Sequence, residues 1–586
     1  MKLFKCLYTL AVALTVTCKK QYIDISPKPN KDLWLHGKVP LRGKPAYEYR
    51  ILDHWDNLDD TVERGYAGNS IFGWTLEKVP KERIVKYARL NQKIGINGAV
   101  LNNVNANPDI LTEKYLNRVK EIADIIRPYG MRTFLSVNFA SPSALGELET
   151  ADPLEPKVRE WWNKKVDQIY ELIPDFGGFL VKASSEGQPG PGDFGRSHAE
   201  GANMLAEALE PHDGIVMWRA FVYSATSPDR AMQAAEEFLP LEGQFKDNVV
   251  IQIKNGPIDF QPREPFSPLF GLLNKTSMAP ELQVTQEYLG QSKNFVYLGP
   301  MWEEFFKSDT YRDGKGSTVA DVTSSSKLSV VAGVANVGDS DFMCGSIAAQ
   351  VNWYAYGRLA WDPTLSAEQI AKEWINLSFE KPRDMSKKQY EKNFVKPMLQ
   401  MMLSSRETCV DFMMPLGLHH LFHADHHYGP DPSYETTPMS RPDWTAPYYH
   451  KADAYGVGFD RSSTGSNAVS QYNEPLRSLY DGEDCPEELI LWFHHVAWDH
   501  KMKSGKTLWE ELNNHYENGV KQSENYLKQW KKMKSYVDKE RYNDIKKCME
   551  TQVHDAHWWK DTVLDYFQGF VNGTRTTSEV NTTTSN

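Results

Sequence analysis

The chain has 586 residues, enough for more than one domain and a large core. Hydrophobic residues at 41% and charged residues at 24% are the proportions of an ordinary globular protein. The net charge of −11 argues against a nucleic-acid partner, and nothing in composition implies one.

The first twenty residues read as a secretory signal. Lys2 and Lys5 give a basic start, and 7–16 is an apolar segment too short to span a bilayer. Cys18 is a candidate for the lipidated residue of a bacterial lipoprotein, although Val16-Thr17 before it departs from the small residues such a site prefers. The expectation is a secreted or periplasmic protein, or a cytoplasmic one if the chain start is not the natural one. No later stretch is apolar enough for a membrane span. Residues 19–48 read as a linker or the remnant of an amino-terminal domain.

A regular alternation then begins. Strand-like runs occupy 49–55, 97–103, 131–138, 178–182, 214–221, 248–254, 282–286 and 346–353. Helix-like segments occupy 82–93, 114–127, 157–172, 198–209 and 230–239. Strand and helix alternating about eight times over roughly 300 residues predict a parallel sheet closed as a (β/α)8 TIM barrel over 49–365. The doubly wound alternative wants a glycine-rich phosphate loop after its first strand, and the sequence has none there.

From about residue 366 the chain reads as a mainly α-helical carboxy-terminal domain ending near 570, with helices at 366–379, 384–408, 485–502, 508–533 and 539–570. The stretch 417–471, rich in His, Tyr, Gly and Pro, reads as long loops over the barrel mouth. The tail 571–586 is low in complexity and expected to be disordered. A homodimer through the helical domain is one assembly open to the chain.

Six cysteines are scattered, with no CxxC pair or Cys/His cluster for zinc. The pairs His419-His420, His426-His427 and His494-His495 invite a metal reading. Adjacent side chains on a regular element diverge, so neither a metal nor another cofactor is expected.

In a TIM barrel the active site lies at the carboxyl ends of the strands. Those ends carry Trp55 after the first strand, Val104 after the second and Lys182 with Glu186 after the fourth. Arg219 lies in the fifth, Lys254 with Asp259 ends the sixth, and Glu287 ends the seventh. A lone Glu186 would ordinarily be a solvated loop carboxylate. With Asp259 and Glu287 at the same end, the three make an acid/base set of the kind glycoside hydrolysis needs. Lys182, Arg219 and Lys254 suggest an anionic substrate, with Arg219 able to hold a carboxylate by two parallel hydrogen bonds. The rival account, that Lys182 and Lys254 only neutralise the buried acids, stays open.

Several motifs carry a family resemblance. Leu52-Asp-His-Trp-Asp-Asn-Leu58, Glu63-Arg-Gly-Tyr-Ala-Gly68, Val181-Lys-Ala-Ser-Ser-Glu-Gly-Gln-Pro-Gly-Pro191, Lys254-Asn-Gly-Pro-Ile-Asp-Phe-Gln-Pro-Arg-Glu-Pro-Phe266 and Thr285-Gln-Glu-Tyr-Leu-Gly290 resemble those of family 67 glycoside hydrolases, the xylan α-glucuronidases. The resemblance runs from about Tyr49 to about Gln568. It implies an inverting enzyme that releases glucuronic acid or its 4-O-methyl ether from the α-1,2 linkage to the terminal xylose of glucuronoxylan-derived oligosaccharides. It further implies Glu186 as general acid, Asp259 and Glu287 as paired bases, and Lys182, Arg219, Lys254, Trp55 and Val104 around the bound uronate. Members of that family usually carry a β-rich amino-terminal domain, and only some thirty residues stand in its place here, where a small domain is about a hundred.

Two geometric expectations follow from those roles. Glu186 should lie about 6.5–9.5 Å from each base, leaving room for a water. Its pKa should be raised, with Lys182 pointing at the sugar rather than at Glu186. The alternatives are a hydrolase of another acidic glycoside and a non-catalytic uronate-binding barrel.

Overall fold

The computed structural model describes residues 35–220, 227–340, 342–423, 426–434 and 442–575. The signal-like segment with Cys18, the far end of the fifth predicted strand and the tail from residue 576 lie outside the described residues.

Eight parallel strands form a closed barrel in sequence order. They are β1 (Tyr49–Asp53), β2 (Gly98–Val100), β3 (Arg132–Ser136), β4 (Gly178–Val181), β5 (Ile215–Arg219), β6 (Val249–Lys254), β7 (Ser277–Gln283) and β8 (Val330–Val334). Between them run α1 (Lys81–Ile94), α2 (Glu113–Ile126), α3 (Pro156–Leu172), α4 (His198–Leu209), α5 (Arg230–Phe238), α6 (Gly299–Lys307) and α7 (Val319–Ser324), and α8 (Ile347–Trp361) follows β8. The sixth unit has only the single turn Leu269–Leu272. The chain is therefore a TIM barrel followed by a helical region.

Local chemistry fixes these elements. Most strand residues are buried, as in a sheet covered by helices on its outer face and filled by side chains within. The helix α4 starts in a capping box: Ser197 Oγ accepts from the Glu200 amide, and Glu200 accepts from the Ser197 amide. At Gly178 φ is +136°, and a Cβ there would meet the Ile215 carbonyl at 1.9 Å, so only glycine lets β4 start this close to β5.

The seam is β1 against β8, in register from Tyr49↔Val330 to Asp53↔Val334. The Tyr356 hydroxyl of α8 sits across it, 2.6 Å from the Ile51 carbonyl and 3.0 Å from that of Val331.

Three sequence expectations are corrected. The segment 346–353 is not the eighth strand; it lies in α8, and β8 is the earlier run Val330–Val334. Every residue of α8 before Trp361 is buried, so no polar face interrupts its apolar run, and periodicity cannot tell it from a buried strand. The segment 485–502 is not one helix but the turns Glu487–Leu489 and Ile490–Phe493 followed by the short strand Val496–Ala497, paired with Gly456–Val457. The seventh strand also begins earlier than read, at Ser277, because Pro280 inside it mimics a strand boundary.

Beyond the barrel, α9 (Ala367–Ser378), α10 (Lys396–Met413), α11 (Leu508–Lys532) and α12 (Lys539–Val571) form the helical region. Gly519 lets α11 close onto α10, since a Cβ there would stand 2.6 Å from the Phe412 amide nitrogen. This region is tied to the barrel by buried polar links. Arg461 meets Asp229 at 2.9 Å with both side chains fully buried, and Tyr472 donates to the Phe266 carbonyl at 3.0 Å. Arg461 and His420, from the described parts of the loops between 417 and 471, thus lie against the β5–α5 and β6–β7 connections.

Candidate active site at the carboxyl ends of the strands

Beyond β4 the chain makes a tight turn, with Ser185 and Gln188 exchanging backbone hydrogen bonds. Glu186 stands at its tip with φ of +48°, a left-handed conformation that costs energy for a residue with a side chain and is commonly retained at functional sites. Its side chain keeps 37% of its surface open, whereas Lys182 beneath it is 2% exposed. Lys182 Nζ bonds the Glu186 carboxylate and, at 2.8 Å, Asn105 Oδ1. Asn105 and Asn103 both donate to Glu63, so a rack of polar side chains from the first two βα loops holds Lys182 from the other side.

This arrangement corrects two expectations. Lys182 points at Glu186. The Glu186 carboxyl also sits below its ordinary pKa: burial works to raise it, but the charges of Lys182, Lys254 and Arg230 outweigh burial.

After β6, Lys254 Nζ meets Asp259 at 2.7 Å and the Tyr288 hydroxyl donates to the other Asp259 oxygen at 2.6 Å. Asp259 is buried, which favours its neutral form. Lys254 and Arg230 reverse that and hold it well below the usual carboxylate range. The loop is shaped by Glu264, whose carboxylate accepts the amides of Ile258, Asp259 and Gln261 at 3.0–3.2 Å. Burial and the neighbouring Asp259 push Glu264 up to about 8.

Glu287 follows β7 and is held by three elements at once. Arg64 Nε from the β1–α1 connection and His427 Nδ1 from the carboxy-terminal loops each approach Oε1 at 2.7 Å, and Gln283 Nε2 donates to Oε2 at 2.6 Å. His427 stacks on Tyr288 with ring centres 4.8 Å apart. Tyr288 thus joins the two expected bases, since it follows Glu287 in the chain and bonds Asp259.

Arg219 is placed differently from the sequence expectation. It is fully buried inside the barrel, where its Nε and Nη2 make a two-pronged contact with Glu281 at 2.8 and 2.5 Å. The fork expected for a substrate carboxylate is given to Glu281 in this state. Gln252 bridges Glu281 to Asp53, both at 2.7 Å, and burial together with the Glu281 charge pushes Asp53 up to about 8. Trp55 and Val104 are buried at the same end of the barrel. The Trp55 amide bonds Asn336 Oδ1 at 3.0 Å, and its indole N–H has no partner among the described residues.

All three carboxylates therefore carry a cationic neighbour, the pattern of the rival account in which lysines neutralise buried acids. Sequence reading missed Arg64, His427, Tyr288, Glu281 and Arg230. Arg64 lies in the Glu63–Gly68 motif, and His427 belongs to one of the histidine pairs. Arg230 is buried at the start of α5, donates to the Tyr449 hydroxyl at 2.6 Å and acts electrostatically on both Glu186 and Asp259.

Residues 35–342 match the family described as the glycosyl hydrolase family 67 middle domain, and 344–579 match its C-terminus. Alpha-glucuronidase A of Emericella nidulans is 43% identical over 556 residues, covering 91% of this chain and 64% of that protein. A probable alpha-glucuronidase A of Aspergillus flavus is 41% identical, covering 88% of this chain and 62% of that protein. The chain thus spans just under two thirds of the length of these relatives. A solved GH138 enzyme targeting pectin rhamnogalacturonan II covers 90% of this chain and 60% of its own, at 13% identity and a TM-score of 0.48, too distant to bear on activity. The barrel, the helical region behind it and the two consecutive matches agree: the chain belongs to glycosyl hydrolase family 67.

Proposed function

We propose that the protein is an inverting α-glucuronidase. It would hydrolyse the α-1,2 bond between glucuronic acid, or its 4-O-methyl ether, and the terminal xylose of glucuronoxylan-derived oligosaccharides. The observation that carries this reading is the set of three rim carboxylates, Glu186, Asp259 and Glu287, each paired with a cation around one barrel mouth. The carboxylates supply acid and base, and the cluster of Lys182, Lys254 and Arg230 beside them suits an anionic sugar. The relatives' names, alpha-glucuronidase A and probable alpha-glucuronidase A, support the α-glucuronidase part of this reading.

In this reading Glu186 gives its proton to the xylose oxygen as the glycosidic bond breaks. A water on the opposite face of the sugar adds to the anomeric carbon and loses its proton to the Asp259–Glu287 pair. One displacement inverts the centre, so the first product is the β-uronic acid. Proton NMR of the first product from aldotetraouronic acid tests this, and an initial α-anomer would overturn it. Glu186→Ala should slow cleavage of the xylosyl substrate by about 10²–10⁴-fold, the usual worth of a general acid, and spare an activated aryl glycoside. Asp259→Ala and Glu287→Ala should impair both substrates alike.

A further inference from the structure

Glu186 faces a contradiction between its surroundings and the role just given to it. A general acid must carry a proton, yet the cations around Glu186 favour its ionised form. Lys182 bonds it from β4, Lys254 reaches it electrostatically from β6 and Arg230 from α5, and Arg219 on β5 senses its charge. Asp259 faces the matching arrangement with Lys254, but for a base that state is the useful one.

We propose that the substrate's own carboxylate arms the acid: a uronate in the cavity draws Lys182 away from Glu186, and Glu186 takes up its proton from solvent only then. The proposal rests on the reading of Glu186 as acid and adds the reason a neutral sugar would be rejected. The geometry allows it. Lys182 Nζ is seated by Asn105 as well as by Glu186, and an ammonium can turn its three donors toward a new anion without leaving that seat. An added negative charge among Lys182, Lys254 and Arg230 can only weaken their hold on Glu186, whichever of them moves. The same charge acts on Asp259, which starts far below its ordinary value and stays ionised. Acid and base are thereby set apart by one binding event. A neutral glucoside of the same shape would bind beside an ionised Glu186 and wait for a proton.

Calorimetric titration in buffers of different ionisation enthalpy counts protons taken up on binding. With the full chain near pH 6.5 and D-glucuronate as probe, uptake should be on the order of one proton per site, and near zero with D-glucose. Glu186→Gln should still bind glucuronate but lose the uptake. Lys182→Met should lose most of it, because Glu186 is then released before binding. Thermal melts of both variants confirm that they fold. Glucuronate binding to the wild type without proton uptake, or undiminished uptake in Glu186→Gln, overturns the proposal. Failure of glucuronate to bind the folded wild type overturns instead the uronosidase reading beneath it.

Discussion

His427 carries a hydrogen-bond donor into the barrel mouth from a loop 140 residues beyond the carboxylate it meets. Its ring packs on Tyr288 and on Phe422, at 4.8 Å from each, so a ring and a donor can be tested apart. His427→Phe keeps the ring and removes the donor; His427→Asn keeps a donor near Nδ1 and removes the ring. A hydrogen bond to a charged group is worth about 1.5–3 kcal/mol, so the Phe variant should lose about 10–100-fold in kcat with its melting temperature nearly kept. The Asn variant should recover most of that. A Phe variant with full kcat beside an Asn variant that loses it would mean that the ring alone matters. Glu186, Asp259, Glu287, Lys182 and Lys254 were legible because each stands where an apolar run ends. Arg64 and His427 were not, because a contact across so many residues leaves no periodic trace. Arg219 was found but its partner was not: the seventh strand was placed one residue past Glu281, and a buried acid on a strand was thereby lost from view.

At the scale of elements, amphipathic helices were the readable ones. The predicted 198–209 coincides with α4, and α1, α2, α3 and α5 differ from expectation by a residue or two at their ends. The eighth strand and α8 were confused because total burial erases the polar stripe that marks a helix. The 485–502 stretch failed for a related reason, since its aromatics serve a short irregular segment rather than one helical face. The Asp229–Arg461 pair joins the turn before α5 to the helical region with both groups fully buried. Arg461 also stacks over Phe459 and Trp492, with its guanidinium 4.2 and 4.6 Å from the ring centres. Arg461→Ala strands a buried carboxylate and should cost about 3–5 kcal/mol in denaturant unfolding. A loss below about 1 kcal/mol would mean that Asp229 finds solvent. Replacing both partners by apolar residues should cost less than Arg461→Ala alone.

For the whole molecule, three buried carboxyls pull stability down as pH rises. Asp53 and Glu264 are pushed up to about 8 and Asp56 to about 7, in each case chiefly by burial. A carboxyl whose folded pKa is raised binds its proton more tightly in the folded state. The stability this gives is whole below the ordinary value near 4 and drains away as pH rises through 7 to 8. Melting temperature should therefore fall between pH 6 and pH 9, and Asp53→Asn should flatten part of that fall. Asp259 works in the opposite sense and only at the acid end, where its contribution is lost as pH drops below the ordinary carboxylate range. A melting temperature that climbs steadily to pH 9 would refute the assignment of these three groups.

The seam between β1 and β8 also has a consequence in time. The Trp55 amide bonds a side chain 281 residues further along, and Tyr356 reaches back 305 residues to the Ile51 carbonyl. At about 5–20 residues per second, a ribosome needs roughly 15–60 s to deliver those partners after β1 has emerged. Throughout that interval one edge of the growing sheet is unpaired, and until 199 further residues are made Asp53 also lacks Gln252. The first barrel strand to be made is among the last to be completed, so the nascent chain depends on whatever in the cell shields an open sheet edge until the circle closes.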